Sequence, residues 1–182
     1  NCFGHPHAKD AGRMQLGLTP FGKEAVTYMT ERGILVDVSH LSDGGFYDVA
    51  ELVKGPFVAS HSNCRELAPA TRNLTDDMIR ILAEHGGVCG LNFYPPFLNT
   101  DPVDKVSRIE RMCEHVKHLV NVGGIECVGI GTDFDGIEGN LEIADCMEME
   151  KLFDALQKKG FCEDDIERIA YKNVERVIRE VM

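Results

Sequence analysis

The sequence predicts an α/β fold built on a parallel sheet, and three observations carry that prediction. Four short runs, 34–39, 57–60, 88–93 and 126–131, are continuously apolar and have strand length. Segments with helical spacing separate them, which is the alternation of a parallel sheet crossed over by helices. Strands apolar on both faces belong in sheets covered on both sides. The order reads αβαβαβαβα(α), and four strands suit either half of a (β/α)8 barrel or a small open sheet.

Residues 1–18 carry Gly, Pro and His without a period and are expected to be a loop entering the first helix. Thr19-Pro20 supplies an N-cap and a proline at the first helical position. Phe21, Ala25, Val26 and Met29 give that helix its apolar face, and Gly33 closes it. After strand 34–39, Ser42 caps a helix running to about Lys54, where Gly55-Pro56 stops it before strand 57–60. A polar connection over 62–74 leads to a helix near 75–85, ended by Gly86-Gly87, and then to strand 88–93. Pro95, Pro96 and Pro102 mark a loop. Val106, Ile109, Met112, Cys113, Val116, Leu119 and Val120 then form the apolar face of a helix from about 104 to 121. Strand 126–131 is the fourth. Helices over Met147–Lys159 and Glu163–Val181 follow, the second with a break near Lys172-Asn173.

Size and composition narrow the function classes. The chain has 182 residues, 43% of them hydrophobic and 27% charged, as in one globular domain with a real core. A complete (β/α)8 barrel takes about 250 residues. The formal net charge of −11 argues against nucleic acid or an anionic membrane as partner. No run reaches the roughly 18 apolar residues of a membrane span, and Asn1-Cys2-Phe3-Gly4-His5 is no signal peptide. Seven scattered cysteines without C-x-x-C fit neither a disulfide framework nor a zinc ribbon, so a reducing cytoplasm is expected. Cys89 and Cys127, inside strand runs, read as small buried apolar residues.

Three strand ends deliver residues suited to metal and proton chemistry: His40, His61 and Asp133. In parallel α/β folds the C-terminal strand ends converge on the face that holds the active site. His40 and His61 at the ends of neighbouring strands point into one pocket and could share a metal, or each could cap its strand on a loop carbonyl. Asp133, at a strand tip, could move a proton beside a dication, while Asp135-Gly136 reads as a turn. Arg72, in the connection after His61, could hold a carboxylate or an oxyanion, and Arg65 competes with it from the same loop. His115 and His118 read as the polar face of their helix and His85 as a helix C-terminal charge, while His5 and His7 form an H-x-H that could bind metal but, with no strand before them, read as loop residues. Ser39-His40 and Ser60-His61 are not expected to be nucleophile pairs, because adjacent strand residues point opposite ways.

Leu35-Val36-Asp37-Val38-Ser39-His40, Ser60-His61-Ser62, Thr71-Arg72-Asn73 and Gly131-Thr132-Asp133-Phe134-Asp135-Gly136 together resemble the renal (membrane) dipeptidase family of zinc peptidases. Gly17-Leu18-Thr19-Pro20-Phe21-Gly22, Leu91-Asn92-Phe93-Tyr94 and Asn173-Val174-Glu175-Arg176-Val177 extend the resemblance across nearly the whole chain. It implies a (β/α)8 barrel of the metal-dependent hydrolase type, with two zinc ions bridged by a carboxylate and a hydroxide that cleave dipeptides. By the same resemblance His40 and His61, ending the fifth and sixth strands, are the histidine ligands of one zinc. Arg72 then binds the substrate or its tetrahedral oxyanion. Asp133, ending the eighth strand, binds the substrate amino group and shuttles the proton.

The family's His-x-Asp and bridging Glu have no counterpart here, nor does the substrate-contacting His that some members carry. Two histidines leave a zinc shell incomplete, since zinc takes about four ligands. The chain is therefore expected to be a single partial domain, 1–182, forming the C-terminal half (strands 5–8) of a dipeptidase barrel and inactive alone. Its N-terminal half would be lost, cleaved or carried on another chain, and open sheet edges would allow a homodimer. The rival expectations are another amidohydrolase-like activity, on lactones, carbapenems or N-acyl amino acids, and a non-catalytic truncated module.

Overall fold

The computed structural model describes residues 2–182, so Asn1 at the head of the predicted loop lies outside the described residues. After a short helix α1 (Ala11–Met14), helix α2 (Pro20–Glu31) begins where its cap predicts, with Thr19 Oγ1 accepting the Gly22 N–H at 3.0 Å. Ser42 does the same for α3 (Asp43–Leu52), and Thr75 for α4 (Asp76–Glu84). Each such cap contributes about 1 kcal/mol. Gly33, at φ 67°, ends α2 in the left-handed conformation that glycine adopts at no steric cost.

Strands β1 (Val58–Ser62), β2 (Val88–Leu91) and β4 (Val128–Ile130) form a parallel sheet in the order β1-β2-β4. Between β2 and β4 lie the short helix α5 (Pro95–Leu98), β3 (Val106–Ser107) and α6 (Ile109–Gly123). The two-residue β3 pairs in parallel with β5 (Asn140–Leu141), outside the main sheet. Helices α7 (Glu150–Lys158), α8 (Glu163–Glu167) and α9 (Asn173–Val181) close the chain. Phe57, Ile79, Leu82, Phe93, Val116 and Leu119 are buried between the sheet and its helices. None of the helices among the described residues is long and apolar enough to cross a membrane.

The predicted strand 34–39 is reduced to a parallel bridge between Asp37 and Val58. Val38 N–H donates to the Val58 carbonyl and Val58 N–H to that of Val36, at 2.8 and 2.9 Å. Beyond them the Asp37 carboxylate takes the Ser39 and Ser60 N–H groups, so a side chain replaces the ladder. The segment still lies beside β1, giving the spatial order 36–38, β1, β2, β4. Strand β2 stops two residues short of its predicted end because Asn92 turns away, its N–H bonding Asn63 Oδ1 and its Oδ1 accepting from Tyr94 N–H. β4 starts two residues late, after a 3₁₀ turn over Ile125–Cys127.

Helix α6 begins at Ile109, five residues later than its apolar spacing suggests, because Val106–Ser107 pairs with β5. His115 is not on its polar face. It is fully buried among Met112, Val116 and Leu119, with Nδ1 accepting from Cys64 N–H at 3.2 Å and Nε2 donating to the Leu98 carbonyl at 3.0 Å. A ring satisfied at both nitrogens can be buried without the cost of an orphaned polar group. His118 stays at the surface, paired with Asp76 at 2.7 Å.

The predicted break near Lys172-Asn173 is a π-helical turn over Arg168–Lys172 joining α8 to α9. The widened turn brings the buried Asn173 under β4, where its Nδ2 donates to the Ile125 and Val128 carbonyls, both at 2.8 Å. Asn173→Ala removes both bonds and, at about 1 kcal/mol each, is expected to lower unfolding stability by about 2 kcal/mol in a urea titration. A loss below 0.5 kcal/mol would show that water replaces the amide.

Candidate active site

His40 and His61 reach the same point by different backbone devices. The extended segment 36–38 ends at His40, whose φ of 75° lies in the left-handed region. His61 sits in β1 where the pairing register with β2 shifts between Ala59 and Ser62. Such an irregularity re-aims side chains at a strand's functional end. The two Nε2 atoms stand 2.9 Å apart and the ring centres 4.9 Å apart.

The His61 ring is oriented from behind. Ser60 Oγ lies 2.7 Å from His61 Nδ1 and 2.5 Å from Asp37 Oδ2. Because ionised Asp37 can only accept, the Ser60 hydroxyl donates to it and accepts from His61 Nδ1–H. That tautomer leaves the Nε2 lone pair facing the site, as a metal-ligating histidine requires. The opposed directions expected of Ser60 and His61 do not hold at the irregularity. Ser60 is nonetheless no nucleophile, since its proton is committed to Asp37. Burial pushes the His40 pKa below its ordinary 6.5, helped by Arg72, His61 and His7 and opposed by Asp133. The imidazole is thus held in the neutral form that coordinates metal.

Arg72, almost fully buried, comes from the connection between β1 and α4. Its Nη2 donates to the His61 carbonyl at 3.0 Å and its Nη1 to Ser62 Oγ at 3.3 Å, and its guanidinium lies 5.4 Å from the Phe97 ring centre. Burial lowers its pKa, while Asp133 and Asp37 favour its charged form. Arg65, the competing arginine, makes a bidentate pair with Asp43 at 2.7 and 2.8 Å and braces the loop against α3. Asp133 follows β4 with φ 64° and accepts from Asn92 Nδ2 at 3.0 Å. Asp135 is exposed in the 3₁₀ turn Phe134–Gly136, as its turn reading expects. Gly90 and Gly131 let the strand ends close up, since a Cβ on either would stand 2.0 Å from the Ser60 carbonyl oxygen.

Sequence reasoning missed two members of this neighbourhood. His7 N–H donates to the His40 carbonyl at 2.9 Å, and its ring lies 6.0 Å from that of His40, with Nδ1 3.3 Å from Thr71 Oγ1. Its H-x-H spacing with His5 was a signal, but with no strand before it the pair reads as loop. Asn92, fully buried, orients Asp133, and the early end of β2 is what turns it towards the aspartate.

Two convergent imidazoles, that of His61 held from behind by Ser60 and Asp37, fit half of a tetrahedral metal shell. Among the described residues no group of three or more His, Cys, Asp or Glu is placed to hold a metal ion. The arrangement therefore offers two nitrogen ligands, a carboxylate able to move a proton and a buried guanidinium able to hold negative charge.

The family model described as membrane dipeptidase (peptidase family M19) matches residues 2–182. An uncharacterised Klebsiella pneumoniae protein from the pqqA 5′ region is 33% identical over 177 residues, covering 97% of this chain and 64% of that protein. Dipeptidase tcpJ of Claviceps purpurea is 32% identical over 91% of the chain and 39% of its own length. A metallo peptidase from Rhodobacter sphaeroides, solved with a phosphinate mimic of the dipeptide L-Ala-D-Ala, superposes with a TM-score of 0.87 at 35% identity. The superposition covers 91% of this chain and 48% of that one. The chain thus spans about two-thirds or less of the relatives it matches.

Proposed function

Because the chain belongs to the membrane dipeptidase family, peptidase family M19, we propose that it forms the C-terminal half of a (β/α)8 barrel in a zinc-dependent dipeptidase. The observation that carries this reading is the 2.9 Å convergence of His40 and His61 Nε2 beside Asp133 and Arg72. The spatial order 36–38, β1, β2, β4, all parallel, is what four consecutive barrel strands would show.

His40 and His61 would hold one zinc, with the remaining ligands of a two-zinc site supplied by an N-terminal half on the same or a separate polypeptide. Zinc, when bound, supplies Lewis acidity to the scissile carbonyl and to water. The chain's own residues do the rest. Asp133 holds the substrate amino group, takes the proton that the attacking water gives up as its oxygen bonds the carbonyl carbon, and delivers it to the amine as the C–N bond breaks, with Asn92 fixing the carboxylate. Arg72 compensates the negative charge that develops on the tetrahedral carbon's oxygen, and its near-complete burial strengthens that interaction. Alone, the chain is expected to bind metal weakly and to be inactive. Free thiols at all seven cysteines suit a reducing compartment such as the cytoplasm.

The test is zinc content per chain in the full-length protein. His40→Ala and His61→Ala should each remove about one of two zinc ions. Each should also lower kcat/KM by more than the roughly 10–100-fold typical of outer-shell changes. Undiminished zinc in both variants would sink the ligand assignment.

A further inference from the structure

We infer that the cleft running outward from Arg72 past His7 and Lys9 is an anion-accepting subsite that selects dipeptides ending in Asp or Glu. This inference rests on the dipeptidase reading and names its preferred substrates. The cleft encloses about 610 Å³ and adjoins the candidate site, because Arg72 lines both and the His7 ring lies 6.0 Å from that of His40. A volume of that order accommodates an amino-acid side chain with room to spare.

The charges that line the cleft all have one sign. Arg72 and Lys9 are its charged groups, burial and the neighbouring Arg72 lower the His7 pKa so that His7 adds no charge at neutral pH, no carboxylate lines the cleft, and Pro69, Pro96 and Phe97 form apolar walls. This is a local positive site in a chain of net charge −11, so an attractive field for anions is concentrated there. Arg72 is partly compensated on its inner side, where Asp133 and Asp37 face it. Lys9 is not. The lysines that pair with carboxylates are Lys23, Lys151, Lys159 and Lys172, which leaves Lys9 without an ion-pair partner among the described residues.

The segment carrying Lys9 is anchored rather than free. Pro6 bridges Leu41, His7 N–H bonds the His40 carbonyl, and the Ala8 N–H bonds Met14 Sδ. With Asp133 at the amino end of a bound dipeptide and Arg72 beside the reacting carbonyl, the C-terminal residue extends into this cleft. A carboxylate on its side chain would lie between Lys9 and Arg72. Charge-assisted hydrogen bonds near apolar walls favour a carboxylate over the isosteric amide by roughly 10- to 100-fold.

The experiment compares Ala-Glu with Ala-Gln in the full-length, zinc-loaded protein and in its Lys9→Met and Lys9→Glu variants. The wild type should prefer Ala-Glu by at least about tenfold in kcat/KM. Lys9→Met should bring the ratio near one, and Lys9→Glu should reverse it. Equal rates on the two dipeptides in the wild type, or a ratio unchanged in Lys9→Met, would overturn the subsite and leave the dipeptidase reading standing. Calorimetric binding of glutamate against glutamine gives a readout that needs no turnover. Glutamate binding lost in Lys9→Met, in a protein that cleaves neither dipeptide, would uphold the subsite and reject the dipeptidase reading. No turnover together with no glutamate preference would reject both.

Discussion

Exchange of Asp133 for Asn is expected to leave zinc content at the wild-type level and to lower kcat by roughly 10²–10⁴-fold, the span that positioned acid–base groups contribute. The substitution keeps the shape of the side chain and an oxygen that can accept from Asn92 Nδ2. It also suits the backbone, since Asn tolerates the left-handed φ of 64° better than most residues. What it removes is the negative charge and the proton-carrying capacity. Folding and metal binding thus act as internal controls, and the comparison isolates one chemical role. A kcat within threefold of wild type, with normal zinc, would take proton transfer away from Asp133.

The second large effect is on stability in mild acid. His115 is buried in its neutral form, and burial pushes its pKa from 6.5 down to about 4. The folded state therefore binds a proton less readily than the unfolded chain. The stability that neutral His115 supports is fully present above pH 6.5 and is lost as pH falls from there to about 4, below which the loss levels off. At about 1.4 kcal/mol per pH unit, the gap makes about 3 kcal/mol at its limit. Urea titrations between pH 7.5 and 4.5 should show this slope, and His115→Gln, whose amide donates and accepts at any pH, should flatten it. An identical slope in the two proteins would place the acid sensitivity elsewhere. The loss has a functional edge: His115 ties Cys64, at the head of the loop that presents Arg72, to Leu98, next to the Phe97 ring against which Arg72 lies.

Much of this was legible in the sequence where the deciding physics is local. Thr19, Ser42 and Gly33 mark helix ends through bonds and dihedrals that span a few residues, and the apolar runs at 57–60, 88–93 and 126–131 mark the sheet, with β2 ending and β4 starting two residues inside the expected bounds. Strand ends also pointed to His40, His61 and Asp133 as one group, and the structure brings them together. Failures came where a distant partner decides. Asp37 replaces the ladder at the edge of the sheet by bonding Ser60, 23 residues away. The start of α6 is set by pairing with Asn140–Leu141. His115 had a signal, its place between Met112 and Leu119 on the buried stripe, but residue type outweighed spacing in the reading. His7 had only its H-x-H spacing with His5, and what places it is distant, since His40 and Leu41 hold its loop from across the fold.

His40 and Asp133 are the two residues other than glycine with positive φ among those described, and both belong to the candidate site. A left-handed conformation costs such residues roughly 1–2 kcal/mol. Selection for robustness and selection for chemistry therefore pull in opposite directions at these two positions. A drift to Gly at either would relax the backbone and yield a sturdier protein without the proposed ligand or the proposed acid. Persistence of His and Asp there is something only use can maintain, so a lineage released from that use should shed these two residues early and gain thermal resilience as it does.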